Sequence, residues 1–155
     1  MAPTKKPETK PKALEIQIKY HDKDLGKIEK IPVGDWIDLH AAERVDMDVG
    51  DYKVISLGVS MKLPKGYEAH ILPRSSTFRR WGILMTNSMG IIDESYCGEH
   101  DVWGFPAIAM KSTTIFKGDR ICQFRIVKKM PEVKFTEVDQ MEDPDRGGFG
   151  STGGN

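Results

Sequence analysis

Residues with chemical potential are concentrated in five short segments, each setting charged or hydroxyl side chains beside a tight turn. Trp36-Ile37-Asp38-Leu39-His40-Ala41-Ala42 carries one acid at a strand position between apolar neighbours. Pro73-Arg74-Ser75-Ser76-Thr77 places a cation and consecutive hydroxyls at the start of a short helix, a combination that suits phosphate oxygens. A Ser helix cap beside an exposed Arg explains the same residues. The hairpin-like stretch NSMGIIDESYCGE, from Asn87 to Glu99, holds a lone acid, Asp93, after an apolar pair. By itself that acid also reads as a turn former. Gly118-Asp119-Arg120-Ile121-Cys122-Gln123-Phe124 is a turn feeding a strand. The last segment, EDPDRGGFGSTGGN over 142–155, has the composition of a frayed, Gly-rich end. Arg146, Phe149, Ser151 and Thr152 are unusual choices for a plain linker. A cation, a ring and two hydroxyls among glycines could wrap a phosphorylated aromatic ligand, with backbone N–H groups forming an anion nest.

The elements that must position these residues are strands. Leu14, Ile16, Ile18 and Tyr20 alternate with polar residues, as do Leu57, Val59, Met61 and Leu63. A period of two puts apolar side chains on one face of a half-buried strand. Further strands are expected over 67–72, 83–86, 89–93, 102–110 and 120–127. Pro106 should place its run at a sheet edge or a bulge. Turn chemistry falls at Val33-Gly34-Asp35, Val49-Gly50-Asp51, Pro64-Lys65-Gly66 and Lys117-Gly118-Asp119. Only Ser75–Trp81 reads as a short helix. Many short strands with regular turns predict an all-β sandwich, jelly roll or barrel.

Residues 1–12, with three prolines and four Lys, form an expected solvated N-terminal tail. The β domain is then expected over 13–141, followed by a mobile arm over 142–155. At 155 residues one domain is favoured. A formal net charge of zero argues against a dedicated nucleic-acid binder. No apolar run reaches the roughly 18–20 residues of a membrane span, and no export signal is visible. The four His are scattered, which disfavours a protein-held zinc. Cys97 and Cys122 lack paired spacing and read as buried, reduced thiols of a cytoplasmic protein.

Taken in order, PRSS, NSMGIIDESYCGE, GDRICQF and RGGFGSTG, together with the segment around Asp38, resemble the five motifs of the trimeric dUTP diphosphatases, or dUTPases. The likeness runs from about residue 13 to the C-terminus. It is nearest to a phage and prophage subset with a shortened fifth motif. The resemblance implies a jelly-roll-like β-clip fold, a homotrimer with active sites at subunit interfaces, and Mg²⁺-assisted hydrolysis of dUTP to dUMP and pyrophosphate. It implies that Asp38 reaches the hydrated Mg²⁺ through water, the metal being held mainly by the triphosphate. Arg74, Ser75, Ser76 and Gln123 then face the phosphates, with Ser75 donating to the oxygen that bridges the α- and β-phosphorus. Asp93 orients and deprotonates the attacking water. Asn87, Gly90 and Ile92 belong to the uracil side, and Tyr96 lies under the deoxyribose. Phe149 stacks on uracil, with Arg146, Gly150, Ser151 and Thr152 over the distal phosphates.

Four departures from the commonest pattern stand out: Trp36-Ile37 before Asp38, Ser76 for a frequent Gly, Ser95 for a frequent Asp, and two fewer residues between Arg146 and Phe149. The last makes the reach of Arg146 to the γ-phosphate the weakest implied contact. A dCTP deaminase shares the fold and is the nearest rival. A regulatory role toward a protein such as a phage-related repressor, or a purely structural β trimer, are the others, and the sequence identifies no partner surface.

Overall fold

The computed structural model describes residues 11–149. These contain eleven strands and one short helix: β1 (Gln17–Tyr20), β2 (Ile37–His40), β3 (Val45–Met47), β4 (Tyr52–Ser56), β5 (Val59–Lys62), β6 (Tyr67–Pro73), α1 (Thr77–Trp81), β7 (Ile83–Met85), β8 (Gly90–Ile92), β9 (Gly104–Ala109), β10 (Thr113–Ile115) and β11 (Arg120–Lys128). They form four sheets, in the orders β1-β5, β10-β3, β2-β11-β6-β8 and β4-β9-β7. None closes on itself, so the all-β architecture is a jelly-roll-like sandwich and not a closed barrel.

The alternation of the sequence is recovered most clearly where strands face the core. Leu57, Val59, Met61 and Leu63 are all buried, and burial in β9 switches at every residue. Trp103 and Phe124 meet edge to face with centroids 5.3 Å apart, in a core shared with Leu39, Ile55, Ile71 and Ile121. That edge-to-face geometry suits the ring quadrupoles. In each of the four expected turns the glycine takes a left-handed φ, from 80° at Gly34 to 89° at Gly118. A Cβ at those angles would be strained, which explains why glycine stands there.

Several expectations change. At the N-terminus only Gln17–Tyr20 pairs, and although Ile16 and Tyr20 reach the core, Leu14 and Ile18 stay exposed. Strands β3, β4 and β10 were not anticipated: two have three residues each, too short for a period, and β4 buries only Ile55. Pro106 lies in the middle strand of its sheet, in unbroken register with Val54, so it is neither at an edge strand nor at a bulge. Its carbonyl accepts from Thr86 N (3.0 Å), just beyond the end of β7. In an antiparallel strand a residue's N and C=O point the same way. The donor that proline lacks is therefore missing where pairing on that side has already stopped. Residues 130–149 form neither strand nor helix and are exposed throughout, consistent with no packed role inside one chain.

Candidate functional site: a charged cleft and a distant turn

One end of the four-stranded sheet builds a cleft of about 480 Å³. In register, Asp38 of β2 faces Gln123 of β11, and Cys122 faces Leu39 on one side and Pro73 on the other. Leu39 and Cys122 point into the core, so Asp38 and Gln123 point out of it. A register shift lies between Arg120 and Cys122, and Ile121 and Cys122 are both buried. Plain alternation would send Arg120 inward with Cys122; the extra residue turns it outward, opposite His40.

Arg120 then meets Asp38. Its Nη1 lies 3.2 Å from Asp38 Oδ2, while Arg74 Nε lies 2.9 Å from Oδ1. The Arg74–Asp38 pair is the more enclosed, with side chains 23% and 28% exposed. Arg74 also donates to the Arg120 carbonyl (3.3 Å), and Gln123 donates to the Pro73 carbonyl (3.2 Å). Beneath them Thr77, fully buried, accepts from Arg74 N (2.9 Å) and donates to the Ile121 carbonyl (2.7 Å). Thr77 thereby anchors the PRSS turn to β11. Ser76 occupies the helix N-cap position without a side-chain cap bond, and Ser75 is exposed to the cleft. A capping Ser beside a free Arg is thus not what these residues form.

The far wall comes from the loop before β2, including Lys27, Glu29 and Trp36. The sequence motifs contain Trp36 and Arg120 without giving either a role, and they leave out Lys27 and Glu29. The GDR turn was a visible signal for Arg120, but its direction depends on the bulge. Burial, and then the Arg120 charge, hold His40 below the usual histidine range, against the opposing pull of Asp38. Burial pushes the Cys122 thiol far up, so it stays protonated under the cleft floor. Cys97 is exposed, contrary to the expectation that both thiols are buried.

The segment 87–99 sits elsewhere. It is not a hairpin of paired strands: β8 is its one strand and pairs with β6, while turns occupy both flanks. Ser88 takes a left-handed φ of 61° at the first turn. Gly90 sits at a close approach: a Cβ there would stand 3.1 Å from Ile71 Cβ and 3.2 Å from Met85 Cε, so those neighbours would have to give way. Asn87, Asp93 and Tyr96 are exposed and Ile92 half-buried. Tyr96 donates from its hydroxyl to the Val102 carbonyl (3.3 Å), at the surface and not at the core edge. Asp93 Oδ1 accepts from Ser95 N (2.7 Å) and from the Ser95 hydroxyl. Those bonds, the hydroxyl's first, hold Asp93 below the usual carboxylate range.

The register Ala69–Ile92 puts Asp93 beside Glu68, at the start of β6, whereas Arg74 follows its end. At about 3.4 Å per residue the two lie roughly 20 Å apart along the sheet. One chain therefore does not bring Asp93 to its own cleft. Arg146 and Phe149 are exposed in the irregular C-terminal stretch, Phe149 with φ 50°. Gly150, Ser151 and Thr152 lie outside the described residues.

An all-β scaffold that sets two guanidiniums and a free hydroxyl beside Asp38 in one cleft defines a protein with a polar site for a small charged ligand. A family model described as dUTPase matches residues 36–153. The chain is 57% identical over 140 residues to the SPbeta prophage-derived deoxyuridine 5′-triphosphate nucleotidohydrolase YosS of Bacillus subtilis (strain 168), covering 90% of this chain and 99% of that protein. It is 37% identical over 146 residues to the deoxyuridine 5′-triphosphate nucleotidohydrolase of Thermobifida fusca (strain YX), covering 90% and 79%. Among solved structures, the dUTPase of Staphylococcus bacteriophage 80alpha with dUPNHPP superposes with a TM-score of 0.73 at 24% identity, covering 90% of this chain and 98% of that one. The chain belongs to the dUTPase family, as a phage-like member, and is a nucleotide hydrolase. Among the described residues no helix is long and apolar enough to cross a membrane.

Proposed function

We propose that this enzyme cleaves dUTP to dUMP and pyrophosphate by in-line attack of water on the α-phosphorus, keeping uracil out of DNA and supplying dUMP. The observation that carries the reading is the cleft, where Asp38 is gripped by Arg74 and Arg120 with Ser75 and Gln123 alongside. In this reading Arg74 and Gln123 hold phosphate oxygens. Ser76 supports them, and the Ser75 hydroxyl donates to the bridging oxygen, where leaving-group charge develops. Asp93 accepts a proton from the attacking water. The close-packed backbone at Gly90 and Ile92, with Asn87, reads the uracil edge, and Tyr96 lies against the deoxyribose.

Mg²⁺ fits this donor set. Of the three carboxylates that line the cleft, Glu29, Asp35 and Asp38, only Asp38 is engaged by both Arg74 and Arg120, which suits a hold on hydrated Mg²⁺ through water while phosphates provide the direct ligands. Asp38 would hold it, and when bound it screens the triphosphate charge.

The separation of Asp93 from the cleft supports sites shared between copies of a homotrimer. Exposed apolar residues support association as well: Tyr52, Val54 and Leu84 on the outer face of the β4-β9-β7 sheet, and Val133, Phe135 and Val138 in the C-terminal stretch. We assign 13–141 to the β domain and 142–155 to an arm whose Phe149, Arg146, Gly150, Ser151 and Thr152 close over nucleotide. Two free thiols fit a cytoplasmic setting. A regulatory protein partner would be compatible with this chemistry, and a pull-down with and without nucleotide reads it.

Pyrophosphate release from dUTP, dTTP, UTP and dCTP, with and without Mg²⁺, tests the proposal. Turnover of dUTP alone, dependent on Mg²⁺, is expected. Ammonia release from dCTP would overturn it in favour of a deaminase.

A further inference from the structure

We infer that Ser95 is a positioning residue for Asp93: it gives its hydroxyl and its backbone N–H to one carboxylate oxygen and leaves the other free for the attacking water. The inference rests on the reading of Asp93 as the group that takes the water's proton. Both donors converge on Oδ1, and Tyr96 N donates to the Asp93 carbonyl (3.2 Å), so backbone and side chain of Asp93 are held in one compact turn. Among the described residues no hydrogen bond or ion pair engages Oδ2. A carboxylate so held has little rotational freedom, and the oxygen without partners is the one able to point at substrate water.

The loop does not depend on Ser95 for its place. Its neighbour Glu94 accepts from Gly66 N (2.6 Å) and from Lys129 Nζ (2.7 Å), and Lys129 N donates to the Gly66 carbonyl (3.0 Å). These bonds tie the loop to the β5–β6 turn and to the end of β11. The charged groups around Asp93 are therefore Glu94 in its own loop, Lys129 after β11, Lys65 in the turn, and Glu68 of β6, whose carboxylate bonds His70 (2.6 Å). Ser95→Ala removes the hydroxyl bond and leaves those charges in place.

Two effects of losing that bond oppose each other. Without the hydroxyl Asp93 holds its proton more tightly, so the acid limb of kcat moves to higher pH and, by basicity alone, the plateau would rise. Loss of orientation lowers the plateau. If positioning dominates, Ser95→Ala loses kcat on the order of tenfold at the plateau, as one charge-assisted hydrogen bond allows. KM for dUTP stays near the parent value, because the Ser95 hydroxyl is spent on Asp93 Oδ1.

The test compares kcat and KM against pH for the parent, Ser95→Ala, Ser95→Thr and Asp93→Asn, with circular dichroism to establish folding. A lower plateau with a limb moved to higher pH in Ser95→Ala, both restored in Ser95→Thr, supports the proposal. An unchanged or raised plateau in Ser95→Ala, or a change confined to KM, overturns it. If Asp93→Asn is inactive while Ser95→Ala matches the parent, this inference alone falls. If Asp93→Asn turns over dUTP near the parent rate, the underlying reading of Asp93 falls, and this inference with it.

Discussion

The two ends of the four-stranded sheet are built on different principles. At the cleft, Asp38, Arg74, Arg120 and Gln123 come from β2, β11 and the turn after β6 and are fixed by register, a bulge and a fully buried Thr77. At the other end Asp93 is held by bonds from its own loop, to Ser95 and Tyr96, in full contact with solvent. The cleft is a long-range construction and needs the folded core; the turn around Asp93 is local. The contrast teaches why one chain carries two half-sites. A rigid anion cradle wants deep anchoring, whereas a group that must meet water and a base edge wants a surface turn. Bringing them together takes a second copy in the proposed trimer.

The largest expected effect breaks that division at the Asp93 end. Asp93→Asn keeps shape but removes charge and basicity, and should lower kcat by roughly 10²–10⁴-fold while a non-hydrolysable dUTP analogue still binds. Deleting 146–155 should likewise abolish most activity and leave the β core folded. Mixing that chain with Asp93→Asn sharpens the comparison. Subunit exchange lets some trimers assemble one site with an intact Asp93 and an intact arm. Regained dUTP hydrolysis is expected, and verified mixed trimers that stay inactive would leave an arm that folds back over the site of its own chain.

At the cleft end, Arg120→Leu should leave Asp38 with Arg74 as its one guanidinium partner. Arg120 is half exposed, so solvent screens part of its charge. A rise in KM for dUTP of about tenfold, larger than the change in kcat, is expected from losing one cation against phosphate. An unchanged KM would make Arg120 a surface residue and return the cleft to Arg74. A smaller effect belongs to Tyr96→Ala, which should weaken dUTP use and narrow the gap between dUTP and UTP. Equal kcat/KM ratios for parent and variant would remove Tyr96 from the sugar.

How much of each end could be read in the sequence follows from the same contrast. The PRSS, IDESY and GDRICQF motifs were legible because their residue types and order survive without coordinates. Most core strands were legible too, through alternation, as at Leu57–Leu63. Arg120 was not, because plain alternation points it inward and only the bulge reverses it. Pro106 misled for a related reason: whether a missing N–H matters depends on where the neighbouring strand ends, which is a property of the sheet. The segment 87–99 looked like a hairpin because turns flank an apolar run, yet its strand pairs with β6 across a long sequence separation. Long-range register is what local pattern cannot supply.

The smallest prediction uses the two cysteines, one at each end. Cys122 lies under the cleft floor between Ile121 and Gln123, fully buried, with its thiol pushed up by loss of solvation. Cys97 follows Tyr96 in the exposed loop beyond Asp93. Thiolate is the species that reacts with iodoacetamide, and it needs access as well as deprotonation. In the native enzyme Cys97 should therefore be alkylated while Cys122 remains intact until the core is unfolded, a difference that mass spectrometry of the digested protein reads directly. Adding a non-hydrolysable dUTP analogue should slow the reaction at Cys97 severalfold, because the sugar proposed to rest on Tyr96 screens the next residue. Cys122 should be indifferent to nucleotide, since the cleft contacts lie above a floor that is already closed. Labelling of Cys122 in the native protein would show a cleft that opens, and would move the rigid end of the comparison to the turn around Asp93. Equal labelling of Cys97 with and without nucleotide would instead separate the Asp93 loop from the sugar.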